Sequence, residues 1–217
     1  MTASPSKGLL LASLLVLLTL PAKAQIGFAG GYALNMANSP SFTSSASNSF
    51  EPSGGFNLGM FYDFRFGKVT FRPGAFVRQA DFDWEIEGLS AALNPLKSSI
   101  RVAEFPLDFL IHFRMETLSP YVVLGPSFNF LHTDQPDLRQ TLDNPKGSTS
   151  FASFNIGAGL EFQPEGWGLV FFPEIRYGLA LSGFMDEDYI VRTIAFSSDQ
   201  QRISNLVLRL GISLPSY

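Results

Sequence analysis

Eight stretches in which apolar residues alternate with polar or small ones, joined by connections that are by turns short and long, constrain this chain more than any other feature. The clearest sets Phe56, Leu58, Met60, Tyr62, Phe64 and Phe66 against Asn57, Gly59, Phe61, Asp63 and Arg65. A period of two gives a strand one apolar face and one polar or small face. A soluble β-sandwich shows the same alternation, so the period alone does not choose between them. Strand number, loop rhythm and an export signal do.

The amino terminus carries that signal. Lys7 precedes an apolar run from Leu9 to Leu20, and Pro21-Ala22-Lys23-Ala24 ends in a small-x-small site. The pattern predicts a secretory signal peptide over residues 1–24, cleaved after Ala24. A run of about a dozen residues is too short to span a bilayer of roughly 30 Å as a helix, which disfavours the alternative of an uncleaved anchor. The chain has no cysteine, so no lipid can be attached at the cleavage site and no disulfide can form after export. Loss of Lys7 and Lys23 leaves 13 basic against 19 acidic residues, a net charge of −6. That balance argues against a phosphate-binding surface for nucleic acid.

Residues 25–217 suit one domain. They hold no second long apolar segment, yet the chain contains 22 phenylalanines and its mean hydropathy is +0.15. A membrane barrel displays such residues outward, to lipid and to aromatic girdles at the two interfaces.

Strands are predicted near Ile26–Leu34, Gly55–Phe66, Val69–Arg78, Arg101–Met115, Tyr121–Phe130, Phe151–Phe162, Leu169–Leu181 and Asn205–Leu214. Pro73, Pro106, Pro126 and Pro173 fall inside them and are expected to mark bulges or strand ends. Gly67-Lys68, Glu116–Ser119 and Gln163–Gly168 form short turns, the first with glycine where a type II′ hairpin places it. The other four connections, Asn35–Gly54, Gln79–Ile100, Leu131–Ser150 and Ser182–Ile203, each run about twenty residues, unusual for a compact soluble domain. The expected fold is all-β: an eight-stranded antiparallel up-and-down transmembrane β-barrel with short periplasmic turns and four long external loops. An even strand number returns both termini to the periplasm.

Eight strands enclose a space just wide enough for side chains to fill. The inward-facing set contains Asp63, Arg65, Arg72, Arg78, Glu104, Asp108, Arg114, Glu161, Glu174, Arg176 and Arg209. These charges are expected to pair across the lumen as structural filling rather than to line a conducting path, because an unpaired buried charge is costly. A two-residue turn at Gly67-Lys68 sets Asp63 opposite Arg72 with both side chains pointing inward.

Five segments resemble a known family. They are Phe71-Arg72-Pro73-Gly74, Glu104-Phe105-Pro106-Leu107, Pro120-Tyr121-Val122-Val123-Leu124-Gly125-Pro126, Gly157-Ala158-Gly159-Leu160-Glu161 and Pro173-Glu174-Ile175-Arg176-Tyr177-Gly178-Leu179. In this order they look like the PorT-type outer-membrane barrels of the Bacteroidetes, over essentially all of the mature chain. The resemblance implies an integral outer-membrane protein, in contact with lipid and lipopolysaccharide, that supports type IX protein secretion together with secretion-machinery proteins. The carboxy terminus departs from the usual barrel ending: Tyr217 is out of register with Leu210, Ile212 and Leu214, and Pro215 interrupts the strand.

No catalytic set stands out. His112 is expected in the lumen and His132 at the external rim beside Thr133 and Asp134, where a solvated loop histidine is the simpler reading than a hydrolase site. Cysteine is absent and no paired-histidine spacing occurs, so no metal site or cofactor is expected. The Gly30-Gly31 pair and Gly157-x-Gly159 read as inward small positions on strands rather than a phosphate loop. Asp186, Glu187 and Asp188 read as a solvated loop rather than a cation site. The expectation is a non-catalytic envelope component; the alternative is an outer-membrane lipid-modifying enzyme or a narrow small-solute channel.

Overall fold

The computed structural model describes residues 23–37, 48–50, 53–86, 96–113, 115, 118–132, 150–182, 189–191, 194–196 and 202–214. Residues 1–22 of the predicted signal peptide, Arg114, Thr133, Asp134, Asp186, Glu187, Asp188, Pro215 and Tyr217 lie outside them. The strands are β1 (Lys23–Ala37), β2 (Asn48–Phe50), β3 (Ser53–Phe66), β4 (Val69–Ile86), β5 (Leu96–His112), β6 (Ser119–His132), β7 (Ser150–Glu161), β8 (Val170–Ala180), β9 (Tyr189–Val191), β10 (Ile194–Phe196) and β11 (Ile203–Ser213). Eight of them close a ring in the order β1-β3-β4-β5-β6-β7-β8-β11, every neighbour antiparallel, with β11 returning to β1.

The register fixes the shape. From Ala24, paired residues lead through Phe64, Phe71, Phe109, Leu124, Ile156, Tyr177 and Leu206 and return to β1 at Leu34, ten residues further on. A stagger of ten over eight strands tilts them by roughly 40° from the barrel axis. The residues on this path from Phe64 to Leu34 lie on the outer wall. Along every barrel strand such positions are exposed or half-exposed, while the alternate positions are buried, save glycines, Arg65, Ser119 and Glu161 among the described side chains. Outward Leu58, Phe28, Phe128, Ile156 and Leu208 are each more than half exposed. With polar residues inside and apolar ones outside, the barrel wall presents to its surroundings what a soluble domain would hide.

The prolines do not act as predicted. The β3–β4 ladder skips the rungs at Tyr62–Pro73 and Asp63–Arg72, yet its register is the same on either side. The β5–β6 ladder likewise resumes in register beyond Pro126, and Leu210 pairs with Pro173 within an unbroken run. Proline removes a donor without inserting a residue, so a rung is lost but no bulge forms.

Strand ends also differ. The predicted loop Gln79–Ile100 is largely strand: β4 runs on to Ile86 and β5 starts at Leu96, pairing from Gln79–Arg101 to Trp84–Leu96. A period of two persists but changes phase at Arg78-Gln79: the apolar set leaves the odd positions that end at Val77 and moves to Ala80, Phe82, Trp84 and Ile86, between Gln79, Asp81, Asp83 and Glu85. β2 adds to the tip of this hairpin, Phe50 opposite Trp84, and β9 pairs with β10 inside the predicted last loop.

At the short-turn end Gly67 adopts φ 65° with nothing near the position of a Cβ. The difficulty for another residue there is conformational rather than steric. Gly67→Ala is expected to lower stability by about 1–2 kcal/mol, measured as a shift of the urea unfolding midpoint in detergent. Gly166 and Gly168, at φ 79° and 61°, turn the chain between β7 and β8 in the same way.

Candidate functional site

The sequence gathers charge of both signs in the barrel interior, and the structure fills it in layers. At the short-turn end, Arg65 of β3 reaches Glu161 of β7 at 2.8 Å and the Gln25 carboxamide at 2.8 Å. His112 lies 3.4 Å from Glu161 and 3.1 Å from the Thr70 hydroxyl.

The next layer holds the predicted pair. Arg72 donates twice to Asp63, Nε to Oδ1 at 2.6 Å and NH2 to Oδ2 at 2.8 Å, and Asp63 is fully buried. This is the bidentate fork that arginine and carboxylate geometry favours. The Arg72 guanidinium also stands over Phe61 at 4.2 Å and Phe172 at 4.8 Å. Two rings at right angles, centroids 5.8 Å apart, thus press on the same cation and fill the width of the lumen.

Toward the long loops, Glu174 collects three arginines. Arg176 NH2 lies 2.6 Å from it, Arg72 3.6 Å and Arg209 3.8 Å, and the Tyr121 hydroxyl donates to it at 3.1 Å. Arg176 also bonds Asp108 at 2.7 Å, and Asn155 donates to Asp108 at 3.3 Å. Arg209 lies over Phe76 at 4.2 Å. Above them Arg78 bonds Asn35 and lies 3.8 Å from Glu104. Asn129 then bridges the β6–β7 wall to the Ser153 hydroxyl at 2.9 Å.

The sequence-derived residues Asp63, Arg72, Glu104, Asp108, Glu161, Glu174, Arg176 and Arg209 all face this interior, each with an ion-pair partner. Arg114 lies outside the described residues. Among those described, five arginines meet five carboxylates, so the lumen carries no net charge from them. Its neutral members are less obvious from sequence. Gln25, Asn35, Thr70, Tyr121 and Asn155 add hydrogen bonds to the charged groups, and Phe61, Phe76 and Phe172 are buried among them. The inward half of each alternation is the signal that marks them.

Other candidates separate. His132 is exposed at the end of β6, its Cα opposite Arg101. Gly30 faces outward with Phe28 and Tyr32, where an added Cβ would meet Leu58, and not inward as expected; a period of two cannot put both glycines of an adjacent pair on one face. Gly31, Gly157 and Gly159 do face inward, where a Cβ would strike the backbone of the next strand or the Tyr121 ring. Among the described residues no group of three histidine, aspartate or glutamate side chains is placed to hold a metal ion.

Comparison with known proteins agrees with this geometry. A family model described as an outer membrane protein beta-barrel domain matches residues 17–186. The fold is similar to the crystal structure of the neisserial surface protein NspA, with a TM-score of 0.53 at 11% identity over 90% of this chain and 97% of that one. It is also similar to the outer membrane protein OprG from Pseudomonas aeruginosa, with a TM-score of 0.50 at 14% identity over 88% and 96%. No curated protein sequence matches this chain.

Proposed function

Since this chain belongs to the outer membrane protein beta-barrel domain family, and is thus an integral protein of the bacterial outer membrane, we propose that it is a non-catalytic envelope component of the PorT type that supports type IX protein secretion. The observation that carries the proposal is the closed lumen. Arg72 clamped between Asp63, Phe61 and Phe172, with Glu174 drawing in Arg176 and Arg209, leaves the interior to structure. Function then falls to the ends: the short turns, which we assign to the periplasm with both termini, and the long connections outside. The five PorT-like segments supply the secretion role. Cleavage after Ala24 completes maturation. Partners are outer-membrane lipid and lipopolysaccharide, together with proteins of the secretion machinery.

Deletion of the gene, followed by comparison of the secreted proteome and of outer-membrane composition, tests the role. Loss of secreted cargo with an otherwise unchanged membrane is the expected result; an unchanged secretome with altered lipid or solute uptake would reject it. In the same background His132→Ala is expected to restore function as fully as the parent gene. Loss of a lipid-hydrolysing or proteolytic activity in that variant, with the barrel intact, would make the protein an enzyme.

A further inference from the structure

We propose that Gln25 is a modification site governed by folding: it becomes the N-terminal residue on export, cyclises to pyroglutamate while the chain is unfolded, and is held as an open-chain glutamine once the barrel closes. The inference rests on the cleavage after Ala24 proposed above. In the uncleaved chain β1 begins at Lys23, opposite Arg65, and continues with Ala24 opposite Phe64. Cleavage removes these two rungs and makes Gln25, opposite Asp63, the first paired residue.

The placement of the Gln25 carboxamide carries the argument. The residue is 4% exposed. Its Nε2 donates to the Ser213 hydroxyl at 2.5 Å and to the Leu214 carbonyl, and its Oε1 accepts from Arg65 NH2 at 2.8 Å. One side chain therefore clasps β1 to β11 and to β3 where the first and last strands of the ring meet. Arg65 extends the clasp to Glu161 on β7 at 2.8 Å.

Cyclisation needs the same atoms. The uncharged α-amine nitrogen of an N-terminal glutamine attacks its own Cδ, and the new N–Cδ bond closes a five-membered lactam. The Cδ–Nε2 bond breaks, and Nε2 leaves as ammonia with the proton given up by the amine. No oxidant or reductant takes part. The side chain must fold back on its own terminus to react. In the barrel both ends of the amide are held away by other strands, and pairing of Gln25 with Asp63 and Ile26 with Tyr62 fixes the backbone. A residue so held reacts only through local opening. Conversely, the lactam has no Nε2, so a chain that cyclises first loses both hydrogen bonds to β11.

Intact-protein mass tests this on two preparations. One is the chain exported by a Gram-negative host and purified from its outer membrane. The other begins at Gln25, freed from an amino-terminal tag by a site-specific protease, and is either refolded in detergent or kept in urea. The denatured sample is expected to lose the mass of one ammonia at least about tenfold faster than the refolded one. Ser213→Ala is expected to speed the loss severalfold in barrels whose gel mobility still shifts on boiling. Equal rates in refolded and denatured samples would overturn the clasp. An exported chain whose mass includes residues before Gln25 would overturn the cleavage reading, while the second preparation still decides the clasp.

Discussion

Asp63→Ala is expected to lower the unfolding free energy of the refolded barrel by about 3–5 kcal/mol. The loss is large because it strands Arg72, whose Nε and NH2 both donate to Asp63 inside a layer closed by Phe61 and Phe172. Arg65, 4.0 Å from the same carboxylate, has Glu161 to fall back on; Arg72 keeps only the longer contact to Glu174. Asp186→Ala, between β8 and β9, is expected to stay within about 0.5 kcal/mol of the parent. Urea titration in detergent, read by heat-modifiable gel mobility, measures both. Asp63→Leu combined with Arg72→Leu should recover much of the loss, because deleting both partners leaves no buried charge unpaired. A single substitution costing less than about 1 kcal/mol would mean that water reaches the pair.

Glu174→Ala is expected to cost more, about 5 kcal/mol or outright failure to refold. It removes the one carboxylate shared by Arg72, Arg176 and Arg209, and it takes the acceptor from the buried Tyr121 hydroxyl. Arg176 retains Asp108, but Arg209 is left with the face of Phe76. Glu174→Gln is expected to fall between, since one amide oxygen can still accept while its NH2 group faces guanidinium donors. Refolding yields of the two variants at matched detergent concentration check the order. Equal yields would show that the arginines repel one another less than their spacing implies.

Much of this was legible in the chain itself. The period of two assigned Asp63, Arg72, Glu174 and Arg209 to the inner face, and the two-residue turn at Gly67-Lys68 set the β3–β4 register that runs from Phe66–Val69 to Asn57–Arg78. Local rules suffice there because the partners are close in sequence. Three things escaped. The extension of β4 through Phe82, Trp84 and Ile86 was masked by a fixed expectation of loop length and by the change of phase at Arg78-Gln79, which moves the apolar residues to the other set of alternate positions. The prolines were expected to distort the sheet, but a missing N–H costs a rung and leaves the register intact. The convergence of Arg72, Arg176 and Arg209 on Glu174 joins three strands, and it depends on the ten-residue stagger, which no single hairpin reveals.

The seam between β1 and β11 sets the order of events in folding. All other neighbours in the ring can meet through a hairpin, but Gln25 and Ser213 are 188 residues apart. Closing such a loop in an otherwise unfolded chain costs roughly 4 kcal/mol more than closing a two-residue turn. The seam therefore forms after the hairpins have brought its two sides near, and folding is slow for the size of the chain. Until then both terminal strands carry open edges and the outer wall is bare of lipid, which is the state most prone to join another chain. A barrel of this design has good reason to insert and close in one motion.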